Sequence, residues 1–550
     1  MRVGLFLLLI GISLWAQAPC ADTLAFSTCE ITFTLNPGES WTSAQITAEV
    51  KSPRFRTFLT EAFWDGGSKL VLRVTPTDGG SWDLKLTSNL PRFDKLSIKF
   101  NALPSEAHGF IQPANVHHWR YTGTLKAHLW LGMEIWDLST AAEESFLTAK
   151  TQKATHLRTL FAPQWPPSPA SFQAFEKHLR ALNADGIIVD IVLAGPDGAL
   201  TKALPDPATR DKYIRYAMSR LAPYNVTWEI VKDWESYTNG RSLLKEIGAL
   251  IKRWDPYDHP RSAYPLGSTA AFAKDGWMTH ILCNSDDPAV PALEHQTYAL
   301  PIISVSKRNS TKALWQAISS GSYLGSGATK AIGEVLEATR FWELEPYFDV
   351  SNGRALALEG TEYLLVVDRP GIVEMAVEKH GYDTAWINAS SGESTRLKDL
   401  KGEHFIGEPP TRTGDWLLHL SREGRKEGML KSVKFDSQPL IMQEAEVDPK
   451  RIPFDINIKD SMDIKAGMPI PYEIRITKDS RATRFMQYLI TADVPTEAQG
   501  MRVISTQSKG TLILPPSLAT KYPAVLNLRV AGMNANGKLY FMDRIVSLVK

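Results

Sequence analysis

Two carboxylates follow one apolar run in the middle of the chain. Residues 226–232 read Val-Thr-Trp-Glu-Ile-Val-Lys, a run that predicts a buried strand, and Asp233 and Glu235 then flank Trp234. A carboxyl group at the end of a core strand can give a proton to a glycosidic oxygen, and an aromatic face beside it can pack on a sugar ring. The same acids would also suit a solvated loop, so the elements around them must decide between these interpretations.

Composition excludes some classes of partner. The chain has 61 basic and 60 acidic residues and no long block of either charge, which argues against nucleic acid or an anionic membrane surface as partner. The 16 Trp suit stacking on sugars, and they equally suit large sandwich cores. With 550 residues the chain is too long for one core, so we expect several domains.

The first 21 residues have the pattern of a secretory signal peptide. Arg2 provides the positive start, residues 3–15 the apolar run, and Ala16 and Ala18 a small-residue cleavage pattern. This predicts a secreted or periplasmic protein. No other run is long and apolar enough for a membrane span, so we expect no membrane association after cleavage of the signal.

The three cysteines predict little chemistry. Cys20 and Cys29 could close a short loop if both survive processing, whereas Cys283 lies in an apolar run typical of a core thiol. No Cys/His spacing is typical of a zinc site, so we predict neither a metal nor a cofactor.

Residues 109–345 are predicted to form a (β/α)8 TIM barrel. Helix-like runs such as 171–182 and 242–254, each with an apolar stripe, separate eight strand-like runs, the count for this fold. The runs are residues 128–136, 156–162, 186–193, 226–232, 261–264, 278–283, 301–305 and 322–325. A doubly wound sheet would alternate in the same way, but no Gly-rich phosphate loop follows the first strand.

Alternating strands separated by Pro, Gly and Asn predict three β-domains around the barrel. We predict a β-sandwich at 22–108, an antiparallel β-domain at 346–436 and an immunoglobulin-like β-sandwich at 437–550. The predicted strands are residues 31–35, 44–50, 69–74, 81–86 and 96–100, then 362–367, 372–377, 384–387 and 415–420, and finally 454–458, 472–476, 486–492, 524–530 and 538–541. One further helix is predicted at 330–344, and Asn536-Gly537 predicts a hairpin turn.

Several short stretches resemble a known family. They are residues 73–82 with 109–111, 228–235, 255–261, 275–277, 294–296, 382–386 and 414–418. Together they are similar to bacterial secreted proteins with a DUF5060 domain, a DUF4038 barrel of the apiosidase-like glycoside hydrolases, and a C-terminal domain of the type called collagen-binding. The resemblance covers about residues 30–420 and implies a carbohydrate substrate.

The resemblance also implies site residues. It places Asp233 at the general acid/base position after the fourth strand, and it calls for a second carboxylate after the seventh strand, where this chain has Ser306. Serine cannot act as the nucleophile or base of glycoside hydrolysis. We therefore predict Asp233 and Glu294 as catalytic residues. The predicted substrate-binding residues are Trp234, Glu235, Glu134, Trp136, Gln296 and Ser306, and Asp286, Asp287 and Asp137 are further candidate carboxylates.

Two functions remain open from the sequence. The first is a secreted glycoside hydrolase that uses general acid/base catalysis on a polysaccharide or oligosaccharide. The second is a catalytically inactive barrel that serves as a carbohydrate-binding or scaffold protein, which the serine at position 306 favours. His259 and Arg261 precede or begin the fifth strand, which predicts a stabilising role at the opposite end of the barrel from catalysis.

Overall fold

The structure, a computed structural model, describes residues 20–424, 451–459, 461–463, 469–480, 483, 486–493, 502–513 and 524–549. The predicted signal peptide, except for residues 20 and 21, and the predicted boundary at residue 437 lie outside the described residues. The chain divides into two compact units, Met1–Ala107 and His108–Lys550.

The first unit contains two antiparallel sheets that share a core. Its strands are β1 (Cys29–Thr34), β2 (Ile46–Lys51), β3 (Thr57–Glu61), β4 (Phe63–Trp64), β5 (Lys69–Val74), β6 (Gly80–Ser88) and β7 (Ser97–Ala102). The sheets have the orders β1-β5-β4 and β3-β2-β6-β7. Every second side chain of β1 is buried, and Phe33, Leu72 and Trp82 belong to one apolar cluster. The five predicted strands are found, and β3 and β4 were not predicted.

A disulfide joins Cys20 to Cys29, the first residue of β1. The short loop considered from the sequence is therefore closed. Removal of a leader up to residue 21 would delete Cys20, whereas cleavage after Ala18 would keep this bond.

The second unit begins with a hairpin and continues with eight parallel strands. The hairpin is β8 (Ile111–Ala114) and β9 (His118–Tyr121). The parallel strands are β10 (Gly132–Glu134), β11 (His156–Leu160), β12 (Ile188–Val192), β13 (Val226–Lys232), β14 (Arg261–Tyr264), β15 (Ile281–Cys283), β16 (Ile302–Ser304) and β17 (Ser322–Leu324). All eight lie within or coincide with the predicted runs.

These eight strands form a ring in chain order, which is the arrangement of a (β/α)8 barrel. Strands β10 to β14 make one sheet and β15 to β17 another. A parallel bridge between Leu131 and Leu324 joins the last strand to the first, and the Thr279 N–H donates to the Arg261 carbonyl (3.0 Å) between β14 and β15. Glycine is needed at position 132 because a Cβ there would lie 2.4 Å from the Gly325 carbonyl oxygen.

Eight helices connect or follow the barrel strands. They are α1 (Glu143–Thr151), α2 (Pro169–Ala184), α3 (Ala199–Ala203), α4 (Pro207–Leu221), α5 (Gly240–Trp254), α6 (Ala289–Thr297), α7 (Thr311–Ile318) and α8 (Lys330–Glu337). Helix α2 starts at Pro169, with the Ser168 side chain accepting from the Ser171 N–H, and buries the predicted stripe that includes Phe172 and Leu179. Between β14 and β15 the described chain has a 3-10 turn, Thr269–Phe272, in place of a helix. None of the helices in the described ranges has the length and apolar character of a membrane span.

Sheets of mainly antiparallel strands complete the second unit. The first has the strands β18 (Glu345–Tyr347), β19 (Val350–Ser351), β20 (Gly353–Leu358), β21 (Glu362–Val367), β22 (Val373–Asn388), β23 (Ser394–Arg396), β24 (Leu400–Gly407) and β25 (Trp416–Arg422). Two further sheets share another core and contain β26 (Phe454–Asn457), β27 (Ser461–Asp463), β28 (Pro469–Ile476), β29 (Gln487–Asp493), β30 (Arg502–Ser505), β31 (Lys509–Ile513), β32 (Ala524–Met533) and β33 (Leu539–Val549). The domain boundaries at residues 346 and 437 stay predictions.

Two predicted elements have a different extent in the structure, and ten strands of the second unit were not predicted: β8, β9, β18, β19, β20, β23, β24, β27, β30 and β31. The strands predicted at 372–377 and 384–387 are one long strand, β22, whose pairing with β24 shifts register between Ala376 and His380. The polar residues there interrupt the apolar pattern while the backbone stays extended. The helix predicted at 330–344 ends as α8 at Glu337, and the Arg340 N–H donates to the Glu362 carboxylate (2.7 Å) rather than to a helical carbonyl.

Candidate active site at the carboxyl ends of the barrel strands

A fully buried arginine occupies the middle of the barrel. Arg158 Nε donates to both carboxylate oxygens of Glu229 (2.8 and 2.9 Å), and its Nη1 donates to the Gly325 carbonyl (2.6 Å). Its Nη2 lies 3.9 Å from Asp190 Oδ2. Burial opposes the charge, but Glu229, Asp190 and Glu134 hold the pKa of the Arg158 guanidinium above its usual value. Arg158 therefore links β11, β12, β13 and the end of β17.

Glu134 lies next to this arginine, at the mouth of the barrel. Its Oε1 is 3.7 Å from Arg158 Nη1 and 3.4 Å from the hydroxyl oxygen of Tyr264, and its side chain is 9% exposed. Burial and the Glu134 charge raise the pKa of the Tyr264 phenol, and its hydroxyl donates a hydrogen bond to Glu134. Because β10 and β14 are the first and fifth strands of the ring, this contact crosses the barrel and places the Glu134 carboxylate over its centre.

Asp233 reaches the same mouth from the end of β13. Its Oδ2 accepts from Lys232 Nζ (2.9 Å), and that ammonium lies 5.4 Å from the ring centroids of both Trp136 and Tyr264. These two rings contact each other edge to face, with centroids 5.6 Å apart. The structure thus links Asp233, through Lys232, and Glu134, through Tyr264, to one aromatic pair that includes the predicted Trp136.

Trp234 and Glu235 turn away from this mouth. Asp233 has a left-handed backbone (φ 50°), and the chain then makes a 3-10 turn, Trp234–Ser236. Trp234 is 1% exposed and packs on Phe272, so its ring has no face open to a sugar in this structure, and we leave this predicted substrate-binding residue out of the site. The Glu235 carboxylate accepts from the Leu266 and Gly267 N–H groups (2.9 and 3.2 Å), which fixes the loop after β14.

The burial of Glu235 predicts a pH dependence. Burial raises the pKa of the Glu235 carboxyl to about 7 from an ordinary 4.5. Because the folded-state pKa is raised, the folded protein favours the protonated carboxyl. The contribution of this carboxyl to the free energy of unfolding is therefore complete below the unfolded-state pKa and is lost as the pH rises through 7. Between about pH 5 and about pH 8 the wild-type free energy of unfolding should fall by on the order of 2 kcal/mol more than that of Glu235→Gln. Parallel pH profiles of the two proteins in urea unfolding would contradict this.

Ser306 does not line the inside of the barrel. Ile303 and Val305 point inwards, since their side chains lie 2.9 and 2.8 Å from where a Cβ on Gly325 would be, beside Arg158. Ser306 is 4% exposed, and its hydroxyl donates to the Asp286 carboxylate after β15. The predicted role of Ser306 in contacting a substrate is therefore not supported, and the inward position after the seventh strand is held by valine.

Glu294 and Gln296 lie in helix α6, outside the ring of strands. Glu294 is 2% exposed and lies next to the Cys283 thiol on β15; burial and the nearby Glu294 charge raise the pKa of that thiol. In register with β16, Cys283 is level with Ser304 and so faces outwards, whereas Leu282 is level with the inward Ile303. The position of Glu294 thus excludes it from the cleft, and we leave both helix residues out of the site.

His259 has the stabilising surroundings expected for it. Its Nδ1 lies 2.9 Å from Asp255 Oδ2, and the Trp228 indole N–H donates to the same carboxylate (2.9 Å). Arg261 donates to Asp258 (2.6 Å) and to the Trp277 carbonyl (2.6 Å). These residues hold the chain where it enters β14.

Four residues of the candidate site were not predicted: Arg158, Glu229, Lys232 and Tyr264. For two of them the sequence held a signal, because Arg158 stands two positions after His156, and Glu229 two positions after Thr227, in runs that are mostly apolar. In a strand covered on both faces, such positions must point to one another inside the barrel.

The fold is similar to that of solved glycoside hydrolases. One, described as a candidate glycoside hydrolase from Bacteroides vulgatus ATCC 8482, has a TM-score of 0.62 at 16% identity, over 73% of this chain and 100% of that chain. A family 5 glycoside hydrolase from the same organism has a TM-score of 0.50 at 11% identity, over 60% and 96%. A third, described as a glycoside hydrolase, has a TM-score of 0.50 at 10% identity, over 57% and 97%.

At these identities the likeness concerns the fold. No protein-family model matches the chain, and no curated protein matches it. The DUF5060, DUF4038 and collagen-binding names thus stay predictions, while the chain shares the fold of glycoside hydrolases.

Proposed function

We propose that this protein is a glycoside hydrolase, with Asp233 as general acid/base and Glu134 as the second carboxylate. The observation that carries the proposal is that Glu134 contacts Tyr264 while Asp233 is paired with Lys232, whose ammonium lies 5.4 Å from the ring centroids of both Tyr264 and Trp136. Active sites of this fold are built from the loops and strand ends on that face.

Each acid has surroundings that suit its role. Arg158 Nη1 and the Tyr264 hydroxyl, 3.7 and 3.4 Å from Glu134 Oε1, hold this carboxylate at the barrel mouth, where a nucleophile or base is required. Lys232 holds Asp233 in place in the free protein. A sugar packed on the partly exposed Trp136 would lie beside Asp233, the residue to which we assign proton transfer to the leaving oxygen.

The family resemblance and the cellular location are also part of the proposal. The apiosidase-like DUF4038 resemblance is supported by the strand-end position of Asp233, and a secreted or periplasmic location is supported by the Cys20–Cys29 disulfide. Disulfides persist mainly in oxidising compartments.

A second function has an observation in its favour. Because Val305 holds the inward position after the seventh strand, the barrel could bind a carbohydrate without cleaving it. The proposed Glu134 role and this alternative differ in one outcome, the release of product.

The test is an assay of the full-length protein on a panel of plant and bacterial polysaccharides and aryl glycosides, with binding and product release measured in the same samples. We expect release from at least one substrate, and its loss in Asp233→Asn with binding kept. Binding without release would support the carbohydrate-binding function. Neither binding nor release across the panel would count against both functions.

A further inference from the structure

Two histidines and a glutamate from distant parts of the second unit meet away from the barrel mouth. His117 lies in the turn between β8 and β9, His295 lies in α6, and Glu345 begins β18. The two histidines are 4% and 2% exposed. We call these three residues the His–His–Glu cluster.

The spacing of the three side chains is that of metal ligands. Glu345 Oε2 lies 3.0 Å from His295 Nε2 and 3.4 Å from His117 Nδ1, and the three ligand atoms all lie within 4.8 Å of one another. Tetrahedral zinc with bonds of about 2.0–2.1 Å places neighbouring ligand atoms about 3.3 Å apart.

The hydrogen bonds around the cluster select the tautomer that binds a metal. His117 Nε2 lies 3.0 Å from the Tyr298 carbonyl oxygen, an acceptor only, so this nitrogen carries the proton. With the proton on Nε2, the Nδ1 lone pair faces Glu345 Oε2 at 3.4 Å, and a metal ion between these two atoms would give both of them a partner. A ligating histidine commonly donates its other N–H to a carbonyl in this way.

A third histidine holds the glutamate in place. His118 Nε2 lies 3.3 Å from Glu345 Oε1, and its Nδ1 lies 2.7 Å from the Tyr323 hydroxyl. With Oε1 held by His118, the other carboxylate oxygen, Oε2, is directed at His117 and His295.

The backbone before His117 is strained. Asn115 and Val116 both have left-handed φ values, 44° and 64°, and the second is unusual for a β-branched residue. Such outliers persist only where the surroundings fix them, and they concentrate at functional sites. Here the strained turn directs His117 towards α6, whose His295 ring lies 3.7 Å away between centroids.

We propose that His117, His295 and Glu345 bind one divalent transition-metal ion of the zinc type. Neutral imidazoles and a carboxylate are ligands that zinc accepts, and three protein ligands leave a fourth position for water. The ion would tie the hairpin and helix α6 to β18, the first strand of the sheet that follows the barrel. This proposal is independent of the glycoside hydrolase function.

The test uses the full-length protein purified without a polyhistidine tag, stripped with a chelator and reloaded with Zn²⁺. We expect about one Zn²⁺ per chain by elemental analysis and a higher midpoint of thermal unfolding. Loading with Co²⁺ should give the visible absorption bands of a tetrahedral site. A wild-type chain that binds no Zn²⁺ and gives no such bands would overturn the proposal and leave a hydrogen-bonded cluster.

Variants assign the ion to the cluster. His117→Gln and Glu345→Gln should each lower the bound Zn²⁺ to less than about 0.1 per chain. The matched control is Glu362→Gln, which alters another buried glutamate bonded to one histidine, His419 (2.7 Å), and should keep the wild-type Zn²⁺ content. Equal Zn²⁺ in all variants would place the ion elsewhere and overturn the assignment. Should a cluster variant fail to fold, the wild-type Co²⁺ spectrum still decides.

Discussion

Replacing Asp233 with Asn should lower the turnover number at least about 10²-fold while the protein stays folded. The amide keeps the shape of the side chain and its acceptor for Lys232 but cannot give or take a proton. The Lys232–Asp233 pair is partly exposed, so its loss should change the free energy of unfolding by less than about 1 kcal/mol. The measurement is the rate of sugar release on the substrate identified in the panel, with circular dichroism to check the fold.

The same assay tests whether Glu134 is the second carboxylate. Glu134→Gln should lower turnover by a similar factor, at least about 10²-fold, because the amide can act neither as nucleophile nor as base. Asp286→Asn and Glu294→Gln are the matched controls, each removing one carboxylate that our assignment leaves out. A large loss in Asp286→Asn, with Glu134→Gln near wild type, would move the second carboxylate to the rim beside Ser306. A wild-type rate in Asp233→Asn would remove that residue from the mechanism.

Replacing Arg158 with Met should lower the free energy of unfolding by about 3–5 kcal/mol. The change leaves Glu229 and Asp190, both fully buried, without the guanidinium that neutralises them. Methionine has a similar length and fills most of the space, so the loss reflects unpaired charge more than a cavity. Urea unfolding followed by tryptophan fluorescence measures it, because Trp130 and Trp228 lie in and beside the barrel strands.

Two further variants distinguish the effect of the unpaired buried charges from a non-specific loss of stability. Arg529→Met removes an arginine whose partner Asp543 is exposed, and it should change stability by no more than about 1 kcal/mol. Adding Glu229→Met to Arg158→Met removes one of the unpaired carboxylates and should recover part of the loss. A double variant less stable than Arg158→Met alone would mean that packing rather than charge dominates at this position.

Local patterns were sufficient to predict the strands of the barrel. Buried parallel strands are short apolar runs between helical segments, so residues 226–232 and 261–264 were predicted with the bounds that the structure has. Prediction was poorer where polar residues interrupt the apolar pattern within a single strand. The polar residues within β22 divided one strand into two predicted ones, because its continuity depends on pairing with β24 and β25.

The candidate site could be predicted only in part. The position of Asp233 follows from the sequence, since it comes directly after a core strand. The orientation of the neighbouring side chains does not follow from the sequence. The left-handed backbone of Asp233 starts a turn that buries Trp234 and lets Glu235 accept hydrogen bonds from the loop after β14. A spacing of one residue therefore says little about which side chains share a cleft.

By itself, the sequence determined the number and order of the eight barrel strands and the strand-end position of Asp233. The tertiary structure decided which acids meet. Glu134 and Tyr264 come together because the first and fifth strands of a closed ring face each other. His117, His295 and Glu345 meet because three distant elements pack at one point. Such contacts arise from the closure of the ring and the packing of helices on it, which local periodicity does not encode.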